Sequence, residues 1–254
     1  MLIEKPSHNR AMRGIYLLPN LFTMAALFAG FFAIIAATQH HFESASIAIF
    51  IAMIWDALDG RVARLTHTQS KFGAEFDSLS DMLCFGLSPA LVLYYWSLSS
   101  LGKAGWLAAF LYTACTALRL ARFGSLDQNE DKHYFQGLST TAAAGFIAGF
   151  IWFSVTKGLV GSSHTMSIIT VAITVVVALL KVSTIRYRSF KDIDMRKNVS
   201  FMVILILVLL FVLVSFDPAD VLFGVFAVYA ASGPVMTLFH RTTKKKVKLS
   251  VVPK

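Results

Sequence analysis

Apolar runs of about 18 to 25 residues recur along the chain, and nothing else in it restricts the fold so tightly. A run of that length crosses the hydrocarbon of a bilayer as a helix, because a backbone in lipid must satisfy its own N–H and C=O groups. The runs fall near residues 16–37, 43–65, 73–97, 102–123, 139–156, 165–183, 199–215 and 219–240. With 56% hydrophobic and 15% charged residues, the composition argues against a soluble globule. It predicts an all-α integral membrane protein, a polytopic bundle of about eight transmembrane helices.

An even number of spans returns both termini to one side. Of 23 Lys and Arg residues, Lys103 and Lys157 alone fall in loops facing away from the termini, so the positive-inside rule predicts cytoplasmic termini. The expected organisation is a basic segment 1–14, a single transmembrane domain 15–240 and a basic tail 241–254. The first apolar run is longer than a usual signal-peptide core and seven more follow, so it is expected to stay as a membrane helix rather than be cleaved near Ala36 and Ala37. The net charge of +9 gathers on the terminal side and ends in HRTTKKKVK, residues 240 to 248. Anionic lipid head groups are its expected partner, and nucleic acid is not. Cys84 and Cys115 lie inside predicted helices, away from any Cys or His neighbour, which suits apolar packing rather than a disulfide or zinc site. The seven histidines sit mostly in loops at unrelated spacings.

Against this apolar background one segment stands apart, WDALDGRVARLTHTQSKFGAEFDSLSD, residues 55 to 81. Asp56 and Asp59 are spaced i, i+3 at the end of the second expected helix. Asp77 and Asp81 are spaced i, i+4 near the start of the third, so each pair shares a helix face. A short cytoplasmic connection makes the two helices antiparallel neighbours whose acidic faces can meet. Any one of these residues could cap a helix or pair with Arg61 or Arg64. Four carboxylates converging in a membrane protein call for a cation. An all-oxygen donor set points to Mg²⁺, Mn²⁺ or Ca²⁺ rather than zinc or copper, with room for two ions where four acids meet. Gly60, Ala63 and Gly73 keep the intervening surface narrow enough for a phosphate to approach the backbone. Arg64 can neutralise a phosphate oxygen there.

Written as a pattern, residues 56 to 81 read D-x-x-D-G-x-x-A-R, eight residues, then G-x-x-x-D-x-x-x-D. This resembles the complete signature of the CDP-alcohol phosphotransferases, with no position departing from it. The resemblance implies a reaction in which an alcohol hydroxyl attacks the phosphate of a CDP-activated donor and releases CMP. It also implies that Asp56, Asp59, Asp77 and Asp81 hold the metal, that Asp81 acts as general base, and that Gly60, Ala63, Arg64 and Gly73 contact the cytidine diphosphate. Asn20, after the helix-breaking Pro19, is a further candidate for the phosphates. The expected fold is that family's helical membrane fold, with domain 15–240 as the catalytic unit.

Four other stretches, LLPNLFTMAALFAGFFAI, FDSLSDMLCFGLSPA, LRLARF with YFQGLSTTAAAG, and STIRYRSFKD, are similar to the bacterial and archaeal phosphatidylserine synthases of the family. Together with the motif they extend over residues 14 to 192. This branch commonly carries proline where Ser139 stands and asparagine where Gly124 stands. The resemblance implies CDP-diacylglycerol and L-serine as substrates, a homodimer, and a prokaryotic cytoplasmic (inner) membrane with the site facing the cytoplasm. Serine is a zwitterion, so its site needs a cation for the carboxylate, and Arg122, Arg186, Tyr187 and Arg188 are the candidates.

Two alternatives remain open at this level. A family member acting on glycerol 3-phosphate or an inositol phosphate would need cations for a second phosphate, which the same arginines could supply. A divalent-cation transporter would also use aspartates, but commonly near the midplane and in repeated halves, and the motif occurs once. Gly145 and Gly149 have the small-xxx-small spacing of closely packed helices, within one bundle or across a dimer.

Overall fold

The structure, a computed structural model, describes residues 9–125, 134–188 and 201–249. Among the described residues, eight helices follow the apolar runs closely: α1 (Asn9–Thr38), α2 (Phe42–Leu65), α3 (Lys71–Trp96), α4 (Lys103–Ser125), α5 (Thr140–Thr156), α6 (His164–Val182), α7 (Phe201–Phe216) and α8 (Pro218–Leu249). Among the described residues, five stretches are long and apolar enough to cross a membrane: Leu18–Thr38, Lys71–Trp96, Lys103–Arg122, His164–Val182 and Pro218–Thr237. The other three depart for visible reasons. α2 carries Asp56, Asp59, Arg61 and Arg64, while α5 and α7 have 17 and 16 residues. The chain is a multi-pass membrane protein.

The all-helical expectation acquires one addition. Short strands β1 (Tyr134–Gln136) and β2 (Arg186–Arg188) pair antiparallel, with Gln136 opposite Arg186 and Phe135 opposite Tyr187. Three-residue strands have too few positions to show a period, so the sequence carries no pattern for them.

Small side chains bring the helices together. Ala26, Ala29, Ala33 and Ala37 of α1 and Ala45, Ala48 and Ala52 of α2 are buried, a packing that lets two backbones approach. Gly30 abuts α3, where an added Cβ would lie 2.7 Å from Cys84 Sγ. Gly145 and Gly149 receive Phe226 and Phe223 of α8, which an added Cβ would approach to 2.7 and 3.0 Å. That glycine pair therefore serves packing within one bundle. Large apolar residues face outward instead, including Phe28, Phe110, Leu118 and Phe211, as lipid contact requires.

Helix α3 is not uniform. Lys71–Asp81 and Ser88–Trp96 are α-helical, and Met82–Leu87 between them is a π-helical turn. Pro89 has no N–H to give the carbonyl of Phe85 four residues earlier. Tyr112 Oη donates to that carbonyl at 3.2 Å, and Ser88 Oγ donates to the Leu83 and Gly30 carbonyls at 2.9 and 2.8 Å. Tyr112 thus gives the Phe85 carbonyl a donor where the proline offers none, Ser88 ties the turn to α1, and the turn begins directly after Asp81.

Between β1 and α5, Gly137 adopts φ +76°, and a Cβ there would collide with the Lys181 carbonyl. Gly137→Ala is expected to destabilise the protein by about 1–3 kcal/mol from the backbone conformation alone, with the collision adding to it. A thermal unfolding series in detergent measures this; an unchanged midpoint would show that the turn relaxes freely.

Candidate active site

The last turns of α2 and the first turns of α3 form an antiparallel hairpin closed by residues 66–70. Thr66 and Thr68 donate backbone N–H bonds to the Val62 and Ala63 carbonyls at 2.9 and 3.1 Å, which caps α2. Ser70 caps α3 by accepting the Gly73 N–H at 3.0 Å. The i, i+3 pair of one helix then faces the i, i+4 pair of the other. One carboxylate oxygen each from Asp56, Asp59 and Asp77 lies within 4.8 Å of the others. Asp81 adjoins the cluster through its contact with the Asp56 carboxyl.

These carboxylates differ in what already holds them. Asp59 is buried and accepts a hydrogen bond from Thr23 Oγ1 of α1 at 2.7 Å. Thr23 is itself pinned, since its carbonyl accepts from Ser80 Oγ of α3 at 3.4 Å. Asp77 Oδ1, by contrast, is buried with no hydrogen-bond partner. A buried carboxylate oxygen left this way is costly unless something else binds it. Oxygens ligating one octahedral Mg²⁺ at about 2.1 Å stand about 3.0 to 4.2 Å apart, a spread the three carboxylates can meet. The residues present therefore fit a hard divalent cation, and three aspartates could hold one.

Beside the acids lies a pocket of about 270 Å³ lined in part by Asn20, Thr23, Asp59, Gly60, Ala63, Arg64, Gly73 and Asp77. All five residues expected at the cytidine diphosphate are therefore brought together along one wall of acids. A Cβ on Gly73 would sit 3.1 Å from Ser70 Oγ and 3.4 Å from Asn20 Oδ1, so a side chain there would crowd the pocket. At Gly60 the nearest group is Arg64 Nη1 at 3.6 Å, ordinary contact. The protein itself leaves space at Gly60. Thr68, Gln69 and Ser70 complete the rim. Sequence reasoning missed them and Thr23, although Thr23 lies one helical turn from Asn20 and shares its face.

A second, apolar hollow of about 890 Å³ runs between α1 and α2, lined by Phe22, Ala25, Phe28, Ile47, Ile51 and Trp55 among others. Phe22 and Trp55 stack at 5.6 Å. They directly precede Thr23 and Asp56, so the hollow meets the acidic cluster at that end.

The residues expected at serine are placed differently. Arg122 is exposed and donates to Gln136 Oε1 at 2.5 Å, toward the β-ribbon. Tyr187 is 1% exposed and donates to the Ala230 carbonyl at 3.0 Å, with its ring 5.7 Å from that of Tyr229. Burial, with Tyr229 beside it, pushes the phenol up to about 12, and it packs on Gly233 as a structural strut. Arg186 and Arg188 belong to β2 by their backbone; their side chains lie outside the described residues. Unforeseen in the sequence was Arg119 of α4, one turn before Arg122. It is 8% exposed, with Asp81 and Tyr229 as its electrostatic neighbours.

With this geometry, comparison with known proteins is informative. A model of the CDP-alcohol phosphatidyltransferase family matches residues 16–180. The chain is 34% identical over 216 residues to a CDP-diacylglycerol–serine O-phosphatidyltransferase of Helicobacter pylori, covering 85% of this chain and 90% of that protein. Proteins of the same name from Methanocaldococcus jannaschii and Mycobacterium tuberculosis are 36% and 39% identical. The former match covers 72% of this chain and 79% of the relative, the latter 59% and 54%.

Proposed function

The chain belongs to the CDP-alcohol phosphatidyltransferase family, and from that premise we propose that it transfers the phosphatidyl group of CDP-diacylglycerol to the hydroxyl of L-serine, releasing CMP. The observation that carries the chemistry is the meeting of Asp56, Asp59 and Asp77 beside a pocket walled by Asn20, Gly60, Ala63, Arg64 and Gly73. The choice of serine rests on the relatives, whose names specify that acceptor.

Asp56, Asp59 and Asp77, with Asp81 adjoining, would hold Mg²⁺ or Mn²⁺, with Ca²⁺ able to occupy the same oxygens. Such an ion supplies charge neutralisation at the pyrophosphate and on the departing CMP. Arg64 pairs with a phosphate oxygen, and Gly60 and Gly73 let the nucleotide lie against the helix backbones. Asp81 takes the proton from the serine hydroxyl as its oxygen bonds to the phosphatidyl phosphorus and the bond to CMP breaks. The apolar hollow between α1 and α2 suits a donor acyl chain, which keeps the lipid tail in the membrane while the head meets the acids.

The wider setting is proposed on the same basis. Residues 15–240 form one catalytic membrane domain whose site faces the cytoplasm of a prokaryotic inner membrane, as the distribution of Lys and Arg favours. The basic segments 1–14 and 241–254 meet anionic lipid, and the working unit is a homodimer.

Purified protein given CDP-diacylglycerol and Mg²⁺ or Mn²⁺ is expected to release CMP in step with L-serine and to form phosphatidylserine. Chelation should stop the reaction and added metal restore it. Release with glycerol 3-phosphate or an inositol phosphate and not with serine would overturn the acceptor; release with none would overturn the transferase reading. Filling the hollow tests the lipid subsite: Ala25→Phe is expected to raise KM about tenfold for a dioleoyl donor, equivalent to losing about two buried methylenes. A short-chain donor should be spared, and equal KM changes for both would remove the hollow from the lipid path.

A further inference from the structure

We propose that Arg119 is the specificity-determining residue of the acceptor site, a buried guanidinium that receives the carboxylate of the incoming amino acid. This rests on the serine-transferase reading above.

The helix register places it. Helices α3 and α4 run antiparallel, and α4 lies flush on the π-helical turn of α3. Tyr112 Oη and Thr113 Oγ1 donate to the Phe85 and Gly86 carbonyls at 3.2 and 3.4 Å, and a Cβ on Gly86 would meet Thr116 Cγ2 at 3.1 Å. One turn beyond Thr116, Arg119 is level with the opposite end of that turn, where Met82 follows Asp81. Asp81 is an electrostatic neighbour of Arg119, in agreement with the register.

Asp81 thus stands between two dissimilar walls. On the α1 side, Ser80 and Cys84 bond to the Thr23 and Ala26 carbonyls, and there the nucleotide pocket opens beside Asp59 and Asp77. On the α4 side stands Arg119. Displacement at phosphorus requires the attacking oxygen to arrive opposite the departing CMP. If the nucleotide occupies the α1 side, the acceptor hydroxyl reaches Asp81 from the α4 side, and its carboxylate then lies beside Arg119.

Burial supports the assignment. A guanidinium inside a membrane bundle is costly to desolvate and is retained where it serves a charged partner. The nearby Lys181 of α6 sits at a different level of the bundle, a turn or more along α4 from Arg119, where its Nζ donates to Thr116 Oγ1 at 2.6 Å and lies 3.0 Å from the Tyr112 ring centroid. Among the described residues, the register puts the cation Arg119 at the level of Asp81. Arg122, also on α4, is turned to Gln136.

The test is steady-state CMP release by Arg119→Gln and Arg119→Lys in detergent, with L-serine and with serinol, which keeps the hydroxyl and amine and lacks the carboxylate. Arg119→Gln is expected to raise KM for L-serine about 30-fold or more, as loss of a buried charge-assisted pair does. KM for CDP-diacylglycerol should stay within about threefold, and the preference for serine over serinol should collapse. Arg119→Lys should restore part of the serine preference. Equal losses for serine and serinol, a serine effect larger at Arg122→Gln, or loss of donor affinity in both Arg119 variants would each overturn the proposal. The wild-type arm reads the underlying reaction separately, since a wild-type enzyme without serine-dependent release refutes that reading whatever Arg119 does.

Discussion

Asp81→Asn is expected to lower CMP release by about 10²- to 10⁴-fold, the range a general base contributes, while leaving affinity for CDP-diacylglycerol within a few-fold. Asparagine matches aspartate in shape, so the contact with Asp56 and the π-helical turn that begins at Met82 can persist. Removing one negative charge from a cluster of four relieves repulsion, so the variant should unfold no earlier than the wild type. The measurement is CMP release beside equilibrium binding of the donor on the same preparation. Full activity would remove Asp81 as the base; lost binding with lost activity would make it a ligand-holding residue instead.

Asp59→Asn is expected to act one step earlier. Asp59 is the buried member of the three-carboxylate cluster and is oriented by Thr23. Changing residues that merely orient a metal ligand costs about 10- to 100-fold in affinity, and losing a ligand oxygen should cost at least as much. Wild-type protein at a Mg²⁺ or Mn²⁺ concentration about 100 times its Kd should gain about 2.7 kcal/mol in stability from the linkage of binding to folding. In Asp59→Asn that gain should fall to about 1.4 kcal/mol or less at the same metal concentration, since a tenfold weaker Kd leaves RT ln 11, and donor binding should lose most of its metal dependence. A variant that keeps both would show that Asp59 lies outside the metal's coordination.

These expectations rest on residues whose arrangement is legible in the chain itself. Spacings of three and four residues put Asp56 with Asp59 and Asp77 with Asp81 whatever surrounds the helices, because helical geometry is local. The boundaries are legible for a similar reason: helices expected at 43–65 and 73–97 are found at Phe42–Leu65 and Lys71–Trp96, since lipid rewards an uninterrupted apolar run.

The two arginines of LRLARF mark the limit of that reasoning. Arg119 and Arg122 lie three residues apart on nearly the same face of α4, and the sequence offered the exposed one as a candidate and passed over the buried one. Their difference is one of depth. Arg119 lies where α3 and α6 still pack on α4, with Asp81 and Tyr229 as electrostatic neighbours, while Arg122 lies a turn closer to the helix end and reaches Gln136. Tyr187 shows the same limit from the other side, because its strand pairing and its bond to Ala230 depend on segments far away in the chain. Gly145 and Gly149 had two readings until Phe223 and Phe226 filled the space they leave.

Legible in the sequence alone are therefore the membrane bundle and the acidic hairpin, which follow from composition and helical period, and the family chemistry, which the resemblance of a motif within 26 consecutive residues implies. Only the packing of the helices settles which site carboxylate oxygen stays unsatisfied, where the two hollows open, and which arginine is buried at the level of Asp81. Those depend on how deep each helix sits against its neighbours, and depth is a relation between segments that no local spacing encodes.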